Sequence, residues 1–271
     1  MPDLSTRKVV AEGEHPGQWL AVLHGIYGAG RNWAAVARSL VAARPEWGAL
    51  LVDLRQHGGS TGFEGPHTLE RAAADLGGLS PGGPVRAILG HSFGGKVALL
   101  RGRDDPSVEQ LWIVDSTPEA MEPTGGAWWM LEALRRIPDA FEDREAAISA
   151  LAAEGVDRPI ALWVSANLDW RGERYRWRID LDDMEALLRD FFRTDLWDLV
   201  ESPRDGLEIH FIRATDSAVL GLEEAERIRA AGRSTGRVFV HDVRGGHWLN
   251  ADNPHAVVEL LARDLPGPAL D

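Results

Sequence analysis

The stretch Gly90-His91-Ser92-Phe93-Gly94 leaves this chain few folds to choose from. An apolar run, Val85 to Leu89, precedes it with the length and bounds of a buried strand, and Lys96-Val97-Ala98-Leu99-Leu100 after it reads as a helix. A strand, a tight turn and a helix in that order need small residues on both sides of the turn, because the two backbones close on each other there. The serine at the apex of G-x-S-x-G is held in a strained turn, and its hydroxyl stands clear of the sheet edge. Ser92 is therefore a candidate nucleophile. A glycine-rich turn that only packs closely is the plainer reading, so the rest of the chain must supply the partners that a nucleophile needs.

Strands and helices alternate around this turn. Gln18 to Leu23 reads as a strand ending in His24-Gly25. Ala49 to Leu54 reads as another, running into the loop Arg55-Gln56-His57-Gly58-Gly59-Ser60, and Val108 to Val114 as a third, ending in Asp115. Val9-Val10-Ala11 suggests an edge strand. Asn32 is expected to cap a helix whose Trp33, Val36, Ala37, Leu40 and Val41 share one face, and a helix from Thr68 to Leu79 leads into the central strand. Such alternation builds a mostly parallel central sheet with helices on both faces, and sites in such sheets lie beyond the carboxyl ends of the strands. His24, Ser92 and Asp115 all fall at such ends.

Between Pro118 and Pro203 the alternation gives way to amphipathic helical segments holding Trp128, Trp129, Trp163, Trp170, Trp177 and Trp197, six of the chain's eleven tryptophans. The pattern predicts a helical, tryptophan-rich lid over residues 117–206, inserted before the second-last strand of a core made of residues 1–116 and 207–271. Indoles bring apolar area with a polar edge, and Tyr27, Trp128, Trp129 and Trp248 are the candidate pocket residues. Within the lid, Arg174-Tyr175-Arg176-Trp177-Arg178 alternates charge with bulk, which sets the arginines on one face of an extended segment. They could hold an anionic substrate group, or pair with Asp180, Asp182 and Asp183.

After the lid, Leu207 to Ile212 and Val238 to Val243 read as the last strands, with a helix over Leu222 to Ala231 between them. Asn253-Pro254 then opens a closing helix. His247 follows both the last strand and a glycine turn, so it can swing over the sheet toward Ser92 and is the candidate base. His210 and His241 lie inside strands, His255 lies on the final helix, and His24 and His57 sit beside turns. Each of these is more simply structural.

His24-Gly25, the loop Asp53-Leu54-Arg55-Gln56-His57-Gly58-Gly59-Ser60, the run Gly90 to Lys96 and Gly246-His247-Trp248 together resemble the α/β-hydrolase superfamily over nearly the whole chain. The lysine after the double glycine, the Asp-Leu-Arg-x-His-Gly loop and Trp177-Arg178 are similar, more narrowly, to a branch of small bacterial and mitochondrial esterases and acyl-thioesterases. The resemblance implies the α/β-hydrolase fold, Ser92 as nucleophile, His247 as base, and an oxyanion hole from the backbone N–H groups of Phe93 and Ile26. For the acid it leaves two candidates. Asp216 follows the strand after the lid, but registering Ala214 and Leu220 on the usual loop puts Ser217 on the acid position. Asp115, one strand nearer Ser92, is favoured, with Asp216 as the alternative. The implied chemistry is cleavage of a small-molecule carboxylic ester or thioester through an acyl-enzyme. Carbon-carbon bond hydrolysis and perhydrolysis stay open to the same serine, and a non-catalytic small-molecule binder is the other class.

Charge narrows the partners. With 42 acidic against 29 basic residues the formal charge is −13, which repels phosphate backbones and anionic membrane surfaces, so nucleic acid is not expected as a partner. There is no cysteine, so a thiol nucleophile and thiolate metal sites are excluded, and serine chemistry of this type calls for no cofactor and no metal. No apolar run reaches membrane-spanning length and Met1 to Arg7 lead into no apolar targeting segment, so no membrane insertion and a cytoplasmic location are expected.

Overall fold

Strands covered on both faces read as continuous apolar runs, and Gln18–Leu23 is buried along its whole length. The computed structural model describes residues 3–268. From the amino end come β1 (Thr6–Val9), β2 (Gln18–Leu23), α1 (Ala34–Ala43), β3 (Trp47–Val52), α2 (Leu69–Asp75), β4 (Val85–His91), α3 (Phe93–Asp104) and β5 (Gln110–Val114). An excursion from the main sheet follows, with α4 (Gly125–Arg136), β6 (Ala140–Phe141), α5 (Arg144–Ala153), α6 (Arg158–Ser165), β7 (Leu168–Arg171), β8 (Arg174–Trp177), α7 (Leu181–Arg193) and α8 (Trp197–Glu201). The chain closes with β9 (Glu208–Ala214), α9 (Leu222–Thr235), β10 (Val238–Val243), α10 (Leu249–Asp252) and α11 (Pro254–Asp264).

The main sheet has seven strands in the order β1-β3-β2-β4-β5-β9-β10, parallel except for β1. Alternate residues of each strand go to opposite faces. Leu20, Val22, Leu51, Leu89 and Trp112 pack with α1 and α11, whereas Ala21, Leu23, Leu50, Ile88 and Ile113 pack with α2, α3 and α9. The second face carries the excursion as well. Met184, Leu187 and Leu188 of α7 belong to the same apolar cluster as Leu69 and Phe93, so the inserted segment shares the main core, and Phe141, Ala147 and Leu168 add a small cluster of its own.

Three local readings of the sequence are corrected. The edge strand covers Thr6–Val9 rather than Val9-Val10-Ala11, because it is set by pairing with β3 (Thr6 opposite Val52) and its side chains are largely exposed. Asn32 does not cap α1. Its Oδ1 accepts the Ala29 N–H at 2.7 Å and closes a single 3₁₀ turn, Gly30–Trp33, after which the helix starts at Ala34. The excursion is not purely helical, since β7 and β8 form a hairpin across Gly172 (φ +75°) and, with β6, a three-stranded antiparallel sheet. The Arg-Tyr-Arg-Trp alternation is the period-2 signature of β8. Arg176 of β8 and Arg178 just after it pair, but with other partners than expected: Arg176 with Asp139 at 2.6 Å and Arg178 with Asp169. Asp180 instead caps α7 by accepting the N–H groups of Asp182 and Asp183.

Register brings the site together. His91 lies opposite Val114, and Val114 opposite Ile212, so the ends of β4, β5 and β9 stand in a row. The Ser92 N–H donates to the Val114 carbonyl (3.0 Å) and the Asp115 N–H to that of Ile212 (2.8 Å).

Candidate active site

Ser92 adopts φ +52°, ψ −116°, a left-handed backbone that a residue with a Cβ rarely takes. The turn is closed so tightly that a Cβ on Gly90 would stand 2.1 Å from the Gly94 carbonyl oxygen, and one on Gly94 would stand 2.7 Å from that of His24. Phe93 opens α3, and the first N–H groups of a helix have no intrahelical acceptor. Neither the Phe93 nor the Ile26 N–H has an acceptor among the described residues. A Cβ added to Gly25, just before Ile26, would stand 3.4 Å from the serine Cβ, so this loop comes close to Ser92, and Ile26 lines the same cavity.

His247 Nδ1 lies 2.7 Å from Asp115 Oδ2. Asp115 is fully buried at φ +43°, and its Oδ2 also accepts from Ser217 Oγ at 2.6 Å, while Oδ1 accepts the Ala214 N–H at 3.3 Å. Asp216 is exposed, and its carboxylate accepts from Thr215 Oγ1 at 3.2 Å and from no other side chain among the described residues. Of the two acid candidates, the structure brings Asp115 to the histidine, and Ser217 braces that carboxylate. Ser92 Oγ and His247 Nε2 make no hydrogen bond among the described residues and line the same cavity, so they are free to meet in it.

The turn motif also carries a residue that escaped the sequence reading. His91, the variable position of the turn motif, is buried, and its Nε2–H donates to the His247 carbonyl at 2.8 Å. Burial holds its pKa well below the ordinary histidine value, so it stays neutral and pins the backbone of the loop that carries His247. No spacing or periodicity distinguishes such a residue in sequence.

His24 and His57 are the props they were expected to be. The Leu54 N–H donates to His24 Nε2 (3.0 Å) and the Tyr27 N–H to His57 Nε2 (3.2 Å). Burial pushes their pKa values down to about 4 and about 3, which keeps these nitrogens available as acceptors. Asp53 completes the brace by accepting the N–H groups of Gly30 (2.7 Å) and Gly59 (2.8 Å). The Asp-Leu-Arg-x-His-Gly loop thus acts as a buttress for the loop bearing Ile26. Lys96 is wholly buried, and its ammonium donates to the carbonyls of Glu119, Phe191 and Thr194 at 2.7–2.8 Å, tying α3 to the inserted segment.

The cavity above Ser92 holds about 480 Å³. Of the four aromatic residues named from the sequence, Tyr27, Trp129 and Trp248 line it and Trp128 does not. Adjacent helical positions point about 100° apart, and Trp128 turns away to meet Phe192 edge-on, with Arg189 over its face. Trp163 of α6, missed in the sequence, takes its place and lies 6.0 Å from the Trp248 ring. Among the described residues the lining includes one carboxylate, Glu122, and neither lysine nor arginine. The β8 arginines are therefore outside it.

Comparison with known proteins agrees with this architecture. The sn-1-specific diacylglycerol lipase ABHD11 of Danio rerio is 26% identical, over 90% of this chain and 77% of its own, and that of Mus musculus 28%, over 91% and 80%. An esterase from a marine microorganism superposes with a TM-score of 0.81 at 23% identity, covering 97% of this chain and 99% of the other. An E-2-(acetamidomethylene)succinate hydrolase gives 0.75 at 19% identity, covering 96% and 98%. Among the described residues no helix is long and apolar enough to cross a membrane. The sequence pattern of one family runs from the second strand to the closing helix, residues 20–260, and the chain belongs to that family, the alpha/beta hydrolases.

Proposed function

We propose that this protein is a serine hydrolase that cleaves carboxylic esters or thioesters through an acyl-enzyme, with Ser92 as nucleophile, His247 as base and Asp115 as the acid that orients it. The observation that carries the reading is the 2.7 Å contact between His247 Nδ1 and the buried Asp115, in the cavity that Ser92 also lines. The carboxylate fixes the imidazole tautomer, which leaves Nε2 without a proton to accept the one from Ser92 Oγ as the hydroxyl attacks the acyl carbon. The N–H groups of Ile26 and Phe93 then hold the oxyanion. His247 gives its proton to the leaving alcohol or thiol, and water, activated by the same histidine, releases the acid. Residues 117–206 act as a cap over this chemistry.

The lining favours an uncharged substrate. A carboxylate on the acyl group would meet Glu122 and no cation, in contrast to what a succinate-type substrate requires. This reading agrees better with the neutral lipid named for the lipase relatives than with the diacid named for the succinate hydrolase. Labelling with a fluorophosphonate, followed by a panel of neutral and carboxylate-bearing esters of graded chain length, tests it. The expected result is labelling at Ser92 and turnover of the neutral esters only. An unlabelled, folded protein would favour a non-catalytic binder.

A further inference from the structure

Tyr27 follows Ile26 in the loop after β2, and every polar group it has is engaged. Its N–H donates to His57 Nε2 at 3.2 Å, its carbonyl accepts from Asn167 Nδ2 at 2.7 Å, and its hydroxyl donates to the Ala127 carbonyl at 3.0 Å. The three partners come from different places. His57 belongs to the core loop after β3, Asn167 to the corner after α6, and Ala127 to the first turn of α4. Both helices wall the cavity, α4 with Trp129 and Met130 and α6 with Ile160 and Trp163. A second tie runs nearby, from Arg31 to the Ala166 carbonyl at 2.8 Å.

Two local penalties mark the contact. Tyr27 holds φ +61°, a backbone that aromatic residues seldom adopt, and the buried Asn167 leaves its Oδ1 without a partner. Such penalties persist where the surroundings over-determine the conformation. Burial raises the pKa of the phenol above its ordinary value, so the hydroxyl remains a neutral donor. Only the φ and ψ angles of Ile26 separate its N–H from the peptide plane that it shares with Tyr27, so a shift of Tyr27 turns that donor.

We infer that Tyr27 is a positioning residue that transmits the seating of α4 and α6 to the Ile26 N–H, so that the oxyanion donor is in register only when both walls are closed over the cavity. The inference rests on the serine-hydrolase reading and adds that filling the cavity and stabilising the oxyanion are coupled. A substrate that holds both walls in place also holds the donor.

Tyr27→Phe removes the hydroxyl contact and keeps the ring, and Asn167→Ala removes the other tie without touching Tyr27. Each is expected to lower kcat on para-nitrophenyl octanoate about tenfold while KM stays within about twofold, the signature of a contact made in the transition state. Affinity for an alkyl boronic acid, whose tetrahedral serine adduct uses the oxyanion donors, should weaken by the same factor. Affinity for a neutral alkyl ether of similar length should not change. Unchanged kcat in both variants, whatever their melting temperature, would overturn the coupling, as would equal weakening of both ligands. If Tyr27→Phe does not fold, Asn167→Ala carries the test. A wild-type protein that resists fluorophosphonate labelling would remove the hydrolase reading itself, whereas a labelled wild type with unaltered variants removes only the role of Tyr27.

Discussion

Two groups of histidine and aspartate lie against this sheet, and their geometries are opposite. At the strand ends, His247 gives one nitrogen to a buried carboxylate and keeps the other free in a cavity shared with a serine. Farther back, His210, His241 and Asp264 bring their ligand atoms within 4.8 Å of one another, a grouping that on residue types alone suggests a metal site. The rings of this second pair are parallel to within 4°, with centroids 5.3 Å apart and His210 Nδ1 3.0 Å from His241 Nε2. That is the geometry of an in-plane N–H···N hydrogen bond, with the two nitrogens facing each other rather than converging on a common ion. His210 is also stacked between Trp112 and Phe239, its register neighbours on the flanking strands. A free nitrogen in a cavity separates the first group from the second; the residue types do not.

The contrast can be broken most directly at the serine. Ser92→Ala is expected to reduce kcat on an activated ester about a million-fold with the fold retained, and substantial turnover by the purified variant would end the serine mechanism. Next, Asp115→Asn should lower kcat about ten-thousand-fold, because the asparagine no longer fixes the His247 tautomer, while Asp216→Asn should stay within about twofold. Loss of activity in the second with a normal first would reverse the assignment of the acid. A smaller effect is expected on the cavity wall. Trp163→Ala should raise KM for an octanoate ester about fivefold relative to an acetate ester, and Trp128→Ala should leave that ratio alone. Equal ratios in the two variants would make Trp163 structural.

The smallest effect sharpens the other half of the comparison. Burial pushes the His210 pKa down to about 4, below its ordinary value near 6.5, so between these values the unfolded chain binds more protons than the folded one. The stability this group contributes is therefore complete above about pH 6.5 and is lost as pH falls toward about 4. His210→Phe should leave kcat unchanged and flatten the fall of unfolding free energy over that window by at most about 1.4 kcal/mol per pH unit. A change in kcat would show that the second group is not merely structural.

The fold was readable because the strands are covered on both sides. Runs such as Gln18 to Leu23 carry no period, but they are bounded by turns and alternate with helical faces, which is enough for a parallel sheet. The tight turn at Ser92 was legible from the steric demand of its neighbours, whereas Asp115 was favoured on a loop register that put Ser217 on the usual acid position and on the family resemblance, and it is Asp115 whose carboxylate accepts from Ser217 Oγ. The cavity wall was harder to read. Trp128 and Trp129 are equivalent in composition and diverge only by the turn of α4, and Trp163 reaches the cavity through the packing of α6, a tertiary fact with no local signal. The same holds for His91, whose part depends on a carbonyl 156 residues away.

The three carbonyls around Lys96 have a consequence for protein engineering. The elbow helix carries a buried ammonium whose acceptors, the Glu119, Phe191 and Thr194 carbonyls, all belong to the segment that a cap exchange would replace. A graft that did not offer three carbonyls at that point would strand the charge in the core, at a penalty of several kcal/mol. Lys96 would then have to be redesigned with the graft, for instance as methionine, together with the core positions that α7 shares with Leu69 and Phe93.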